Sequence, residues 1–186
     1  MKRLTFVVVC LGMLAATTSF GQGVSFGAGA FGGMDFPLLQ NDNTSGAIYG
    51  VRGIVKLNLP ITVEPFLYFG SYGAAEFPEF TNDLEGAKIT AYGVDATLFK
   101  IKGKGVGPYF LVGAGFYDIA DDAIQGAYET QGARMGYSAG AGLAVGLTPY
   151  LMIDIRGRAN VVTLDGGGSR KSIGATGGLS YFFGVQ

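Results

Sequence analysis

The chain has 186 residues, 48% hydrophobic and 15% charged, with 33 Gly, one Cys, no Trp and no His. That length fits one ordinary domain, and so apolar a composition excludes a disordered chain. A net charge of −1 without a basic block leaves nucleic-acid binding no electrostatic footprint, and the absence of His removes every imidazole acid, base or ligand.

Residues 1–21 read as a signal peptide. Lys2 and Arg3 form the basic start, Leu4 to Ala16 the apolar core, and Ser19-Phe20-Gly21 the small-residue cleavage site, placing the cut before Gln22. The apolar run is short for a ~20-residue membrane span. Cleavage removes Cys10, leaving no thiol or disulfide, and removing Lys2 and Arg3 takes the net charge from −1 to −3. Residues 22–186 then form one exported domain. No later stretch is apolar for long enough to cross a membrane as a helix, so a membrane location requires strands.

Eight segments with period-2 alternation follow, the signature of half-buried strands. Gly23–Gly33 places Val24, Phe26, Ala28 and Ala30 on one face. It contains Gly27-Ala-Gly-Ala-Phe-Gly32, a GxGxxG string that needs a following helix to bind a nucleotide. Gly46–Leu59 sets Tyr49, Val51 and Val55 against Arg52 and Lys56. Ile61–Tyr72 sets Val63, Leu67 and Phe69 against Glu64, Tyr68 and Tyr72, with Pro65 arguing for an edge strand. Ala87–Lys100 opposes Tyr92, Val94 and Leu98 to Asp95 and Thr97, and Gly107–Tyr117 opposes Phe110, Val112 and Phe116 to Tyr109 and Gly113. Ala133–Leu147 opposes Met135, Tyr137 and Leu143 to Arg134, Ser138 and Gly140. Pro149–Val162 opposes Leu151, Ile153, Ile155 and Val161 to Asp154, Arg156, Arg158 and Asn160. Ser172–Phe183 opposes Ile173, Leu179, Tyr181 and Phe183 to Ser172, Thr176 and Ser180.

Short connections near Asn58–Ile61, Lys100–Val106 and Gly146–Pro149 alternate with long ones expected at Met34–Ser45, Gly73–Gly86, Asp118–Gly132 and Thr163–Lys171. One tight rim and one elaborate rim, with an even strand count, describe an all-β, eight-stranded antiparallel up-and-down transmembrane β-barrel. The apolar face is nearly free of charge, as lipid contact requires. The polar face carries Gly, Ser and Thr with a small set of charges, Arg52, Lys56, Glu64, Asp95, Asp154, Arg156 and Arg158, rather than the dense Lys and Glu of a water-facing sheet. Inside an eight-stranded barrel these charges pair and plug the lumen, since side chains can fill an interior of that size; a narrow ion path is the alternative. A lysine at Val112 is expected to cost more than one at the lumen position Thr97.

The C-terminal stretch Thr176-Gly-Gly-Leu-Ser-Tyr-Phe-Phe183 resembles the polar-x-Gly-x-x-aromatic-x-aromatic assembly signal of outer-membrane barrels, with Thr176, Gly178, Tyr181 and Phe183 at the defined positions. The tail Gly184-Val185-Gln186 departs from it. With the eight segments, the chain resembles the small eight-stranded families typified by the OmpA transmembrane domain and OmpX. The resemblance implies an outer membrane of the Gram-negative type, recognition by the barrel-assembly machinery, contact with outer-membrane lipid and lipopolysaccharide, a monomer, no cofactor and no metal.

The barrel enzymes considered as competitors all use a His, and here a Ser would have no general base beside it. The long connections carry eleven carboxylates: Asp35, Asp42, Glu76, Glu79, Asp83, Glu85, Asp118, Asp121, Asp122, Glu129 and Asp165. Arg170, Lys171 and Lys88 offset them there, while Lys100, Lys102 and Lys104 mark the tight rim. These acids read as solvated loops, or more weakly as cation-bridged contacts to lipopolysaccharide. Phe77, Phe80 and Tyr128 are candidate loop anchors, and Tyr49, Tyr92, Tyr137, Tyr150 and Tyr181 suit interfacial girdles. The sequence therefore points to a non-enzymatic surface or structural barrel. The alternatives are a narrow transport barrel for small apolar or ionic solutes and a soluble exported ligand-binding barrel. The last is disfavoured by the absent Trp that lipocalins carry in a Gly-x-Trp.

Overall fold

The computed structural model describes residues 24–38, 43–57, 59–74, 87–101, 103–120, 132–163 and 168–183. Outside them lie the signal segment, Lys102, Phe77, Phe80, Tyr128, the tail 184–186, and nine of the loop carboxylates, namely Asp42, Glu76, Glu79, Asp83, Glu85, Asp121, Asp122, Glu129 and Asp165.

Eight strands form one closed antiparallel barrel in sequence order: β1 (Ser25–Leu38), β2 (Asn43–Lys56), β3 (Ile61–Ala74), β4 (Lys88–Leu98), β5 (Gly105–Ala120), β6 (Arg134–Gly146), β7 (Leu151–Thr163) and β8 (Ser169–Phe183). Closure comes from β1, which pairs with β2 on one side and β8 on the other. Side chains alternate between two environments along every strand, with one register shift in β2 between Thr44 and Gly46. Val51, Val94, Val112, Leu143, Ile155 and Leu179 are exposed on the outer face, whereas Arg52, Glu64, Tyr109 and Asp154 are buried inside. Apolar outside and charged inside inverts the order of a water-soluble barrel.

Three prolines lie within strands, and each sits where a ladder is missing on one side. Pairing between β2 and β3 skips Gly53 and Ile54, opposite Pro65 and Glu64, and resumes in the same register at Val55–Val63. Pro37 lies beyond the end of the β1–β2 ladder at Asp35–Gly46, and Pro108 beyond the end of the β4–β5 ladder at Leu98–Phe110. A missing N–H is thus accommodated without an edge strand. The expectation that Pro65 marks an edge is corrected: β3 lies between β2 and β4 in a sheet that has no edge.

The connections also differ from the alternation of long and short. Residues 57–60, 99–104 and 147–150 make one tight rim. On the opposite rim residues 75–87 and 121–133 are long, but β1 runs to Leu38 and β2 starts at Asn43, so only 39–42 join them, and only 164–168 join β7 to β8. Met34, Phe36 and Leu38 continue the outward apolar face past Asp35 and Pro37, two residues that read locally as strand breakers. Asp35 is accordingly not a loop carboxylate but a lumen residue, 1% exposed and accepting a hydrogen bond from the Tyr72 hydroxyl. Asp118 likewise belongs to β5, and Arg170 and Lys171 to β8. The GxGxxG string lies wholly inside β1, which continues as strand beyond it to Leu38.

Candidate functional site: a charged layer across the lumen

The register brings the lumen charges to one level. Glu64 of β3 stands directly opposite Asp95 of β4, a like-charge pairing that is unfavourable by itself. Arg156 of β7 reaches across the barrel to both: Nη2 lies 2.8 Å from Glu64 Oε2 and Nη1 3.5 Å from Asp95 Oδ2. Its Nη2 also donates to Asp154 Oδ2 at 3.1 Å. Arg52 of β2 pairs with Asp154 and donates to Ser180 Oγ at 3.0 Å, and Arg158 pairs with Asp95. The Tyr109 hydroxyl donates to Asp154 Oδ2 at 2.6 Å. Six of the seven lumen charges expected from sequence thus meet in one network. Lys56 sits lower, half-buried, and donates to the Lys100 carbonyl at 2.7 Å.

Lys100 is the member that sequence parity misses. Lumen positions on β4 are odd-numbered, which sends Phe99 inward and Lys100 outward. Phe99 instead adopts a left-handed backbone, φ 63°, which reverses the alternation. Phe99 becomes 63% exposed, and Lys100 is 5% exposed, with Nζ 2.5 Å from Glu64 Oε1 and 3.5 Å from Asp154 Oδ2. Burial pushes the Lys100 ammonium below the ordinary lysine value, and the facing Glu64 opposes that shift. The reading of Lys100 as a tight-rim charge is therefore corrected: it belongs to the lumen layer. A lysine at Thr97 is not a mild control either: Thr97 is fully buried, its hydroxyl 3.5 Å from Glu64 Oε1, leaving no room for a longer cation.

Glycine supplies the space for this layer. A Cβ on Gly113 would lie 2.1 Å from Asp95 Oδ1, one on Gly178 2.6 Å from Arg52 Nη2, and one on Gly142 2.5 Å from Tyr109 Cζ. Each stands directly beside the large residue it accommodates: Gly113 opposite Asp95, Gly178 opposite Asp154, and Gly142 opposite both Tyr109 and Arg156. Gly142→Ala is expected to displace the Tyr109 ring and destabilise the barrel by about 1–3 kcal/mol, the usual cost of overpacking. Urea unfolding of the refolded protein measures it, and an unchanged midpoint would contradict this space requirement.

Above the charged layer lies an aromatic one. Tyr68 stacks on Phe66 at 5.8 Å between ring centroids and meets Tyr117 edge-on at 6.2 Å. The Arg158 guanidinium lies 4.6 Å from the Phe66 ring centroid, joining the two layers through a cation–π contact. On the outer face, Tyr150, Tyr181 and Phe183 cluster near the tight rim, while Tyr49 with Phe69 and Tyr92 with Phe116 form a second level. Of the four assembly-signal positions, Thr176 and Gly178 face the lumen and Tyr181 and Phe183 face outward. Among the described residues no group of three or more His, Cys, Asp or Glu could hold a metal ion.

No protein-family model matches the chain, and no curated protein matches it. Solved structures do. Neisserial surface protein A is 15% identical, with a TM-score of 0.62 over 86% of this chain and 97% of that one. The outer membrane protein OprG from Pseudomonas aeruginosa is 11% identical, with a TM-score of 0.58 over 88% and 97%. The N-terminal β-barrel domain of Pseudomonas aeruginosa OprF is 21% identical, with a TM-score of 0.56 over 86% and 97%. At these identities the likeness is one of fold: the chain has the fold of the small eight-stranded outer-membrane β-barrels.

Proposed function

We propose that the chain is a non-enzymatic barrel of a Gram-negative-type outer membrane, exported by its N-terminal segment, with a lumen closed by the charged layer. Its role on this reading is structural or lies in surface interaction through the connections at the elaborate rim. The observation that carries it is the inversion of polarity: an outer surface of Val, Ile, Leu, Phe and Tyr around an interior where Glu64 and Asp154 are each held by several cations. Lipid satisfies such an exterior, whereas water does not.

An inter-strand network of this kind fills a barrel of this diameter with side chains rather than solvent. The partners are outer-membrane lipid and lipopolysaccharide at the flanks and the barrel-assembly machinery at the C-terminal strand, engaged through Thr176, Gly178, Tyr181 and Phe183. The protein is expected as a monomer, since its outer face is matched to lipid around the whole circumference.

Cell fractionation and planar-bilayer recording test this. The mature chain is expected in the outer-membrane fraction, and the reconstituted barrel to show no steady large conductance. Recovery in the periplasm would refute the membrane reading. A persistent open channel would refute the plug and favour a narrow transport barrel.

A further inference from the structure

Among the described residues, two cavities of about 20 Å³ each lie in the lumen between the charged layer and the elaborate rim. The lower is walled by Arg52, Arg156 and Arg158, by Asn160 and Thr176, and by a single carboxylate, Asp95. The upper is walled by Arg170, Lys171, Tyr72 and Ser172, and no carboxylate lines it among the described residues. Tyr68 and Asn160 line both, so they form the partition between them. Below, the ion pairs of Lys100, Glu64 and Asp154 close the path toward the tight rim. Cations line both cavities, Arg170 and Lys171 the upper and Arg52, Arg156 and Arg158 the lower.

The charge balance at the floor is unequal. Arg52, Lys100, Arg156 and Arg158 face Glu64, Asp95 and Asp154, four cations against three carboxylates. Donor capacity is also left over. Nε of Arg52, Arg156 and Arg158 are buried with no hydrogen-bond partner among the described residues, although Arg52 is 3% and Arg156 7% exposed, while Arg52 Nη1 lies 3.9 Å from Glu64 Oε2. Buried charged donors without acceptors are costly, so a group that accepts from them and carries negative charge is favoured. The space admits one atom-sized occupant and is too small for a phosphate or sulfate. Asp35, buried beside Gly174 at the upper side of the lower cavity, repels an anion from that end and confines it to the guanidinium side.

We propose that the lower cavity is a binding site for one small monovalent inorganic anion of halide size, held by the Arg52, Arg156 and Arg158 guanidinium groups and Thr176. The bound anion neutralises the excess cation of the layer and so helps hold the lumen closed.

The test uses the purified chain with bromide as probe. Thermal unfolding in sodium chloride and sodium bromide, against sodium gluconate at equal ionic strength, is expected to show a saturable rise in midpoint with either halide only. Crystals grown in bromide are expected to show an anomalous peak inside the lower cavity, against its guanidinium groups. Thr176→Val is expected to raise the half-saturating concentration about fivefold, the effect of one hydrogen bond, and Thr176→Ser to restore it. Identical melting in all three salts, or a cavity peak without bromide signal, means water alone occupies the site and overturns the proposal. Bromide found only on the outer surface overturns it equally. The wild-type density keeps the proposal falsifiable if the valine variant does not fold.

Discussion

Val112→Lys is expected to lower the stability of the bilayer-reconstituted barrel by about 2–4 kcal/mol, while Val106→Lys costs about 0–1 kcal/mol. Both valines lie on the outer face of β5, 54% and 65% exposed, so neither substitution removes a packed core side chain. They differ in height. A rise of about 3.4 Å per residue at a tilt near 40° puts Val112 roughly 16 Å above Val106. On the same scale it lies roughly 10 Å below the aromatic pair Tyr92–Phe116, inside an apolar band about 25 Å tall. An ammonium at Val112 must be desolvated in hydrocarbon, whereas one at Val106 reaches the headgroups. Denaturant titration of both variants in lipid vesicles reads the difference. Equal costs at the two positions would mean that the outer face does not contact lipid, because only a bilayer makes the penalty depend on depth along a strand.

Asp154→Asn is expected to cost about 3–5 kcal/mol, the penalty for leaving buried charges uncompensated. Asp154 is 1% exposed, pairs with Arg52, accepts from Tyr109 and Arg156, and lies 3.5 Å from Lys100. Asparagine keeps the volume but removes the charge, and its amide presents donors to groups that are themselves donors. Ser180→Ala deletes only an acceptor for Arg52 and is expected to cost about 1 kcal/mol. Adding Arg52→Met to Asp154→Asn should recover part of the loss, because the pair shares one interaction. A loss below 1 kcal/mol for Asp154→Asn, or strict additivity of the double variant, would show that the layer is not a coupled network.

Much of the fold is legible in the chain because strand alternation has a period of two, and a closed barrel imposes it on every strand. The face assignment of Arg52, Glu64, Asp95, Asp154, Arg156 and Arg158 follows from parity alone. Two lumen residues are misplaced by the sequence pattern, for different reasons. Phe99 takes a left-handed backbone and exchanges its place with Lys100. Asp35 sits beside Pro37 in a stretch that reads as a loop, yet it continues β1 because β8 pairs as far as Leu38–Lys171. Neither effect is written in hydrophobic periodicity, since one is a single φ angle and the other is set by a strand more than a hundred residues away.

The glycine content, a compositional oddity at the start, acquires a specific meaning at Gly113, Gly142 and Gly178. Sequence spacing places them on the lumen face but not opposite any particular partner. Register does that, setting each glycine beside an acid, an arginine or a tyrosine that would otherwise collide with a Cβ.

The sequence by itself determined the strand number, the inside and outside of each strand and the absence of imidazole chemistry, because these depend only on residue type and parity. The tertiary structure decided which charges meet, that Lys100 completes the layer, and that cation-lined space remains above it. Those depend on inter-strand register and on closure of β1 against β8, which bring residues from opposite sides of the barrel within hydrogen-bonding distance across a lumen too narrow to keep them apart.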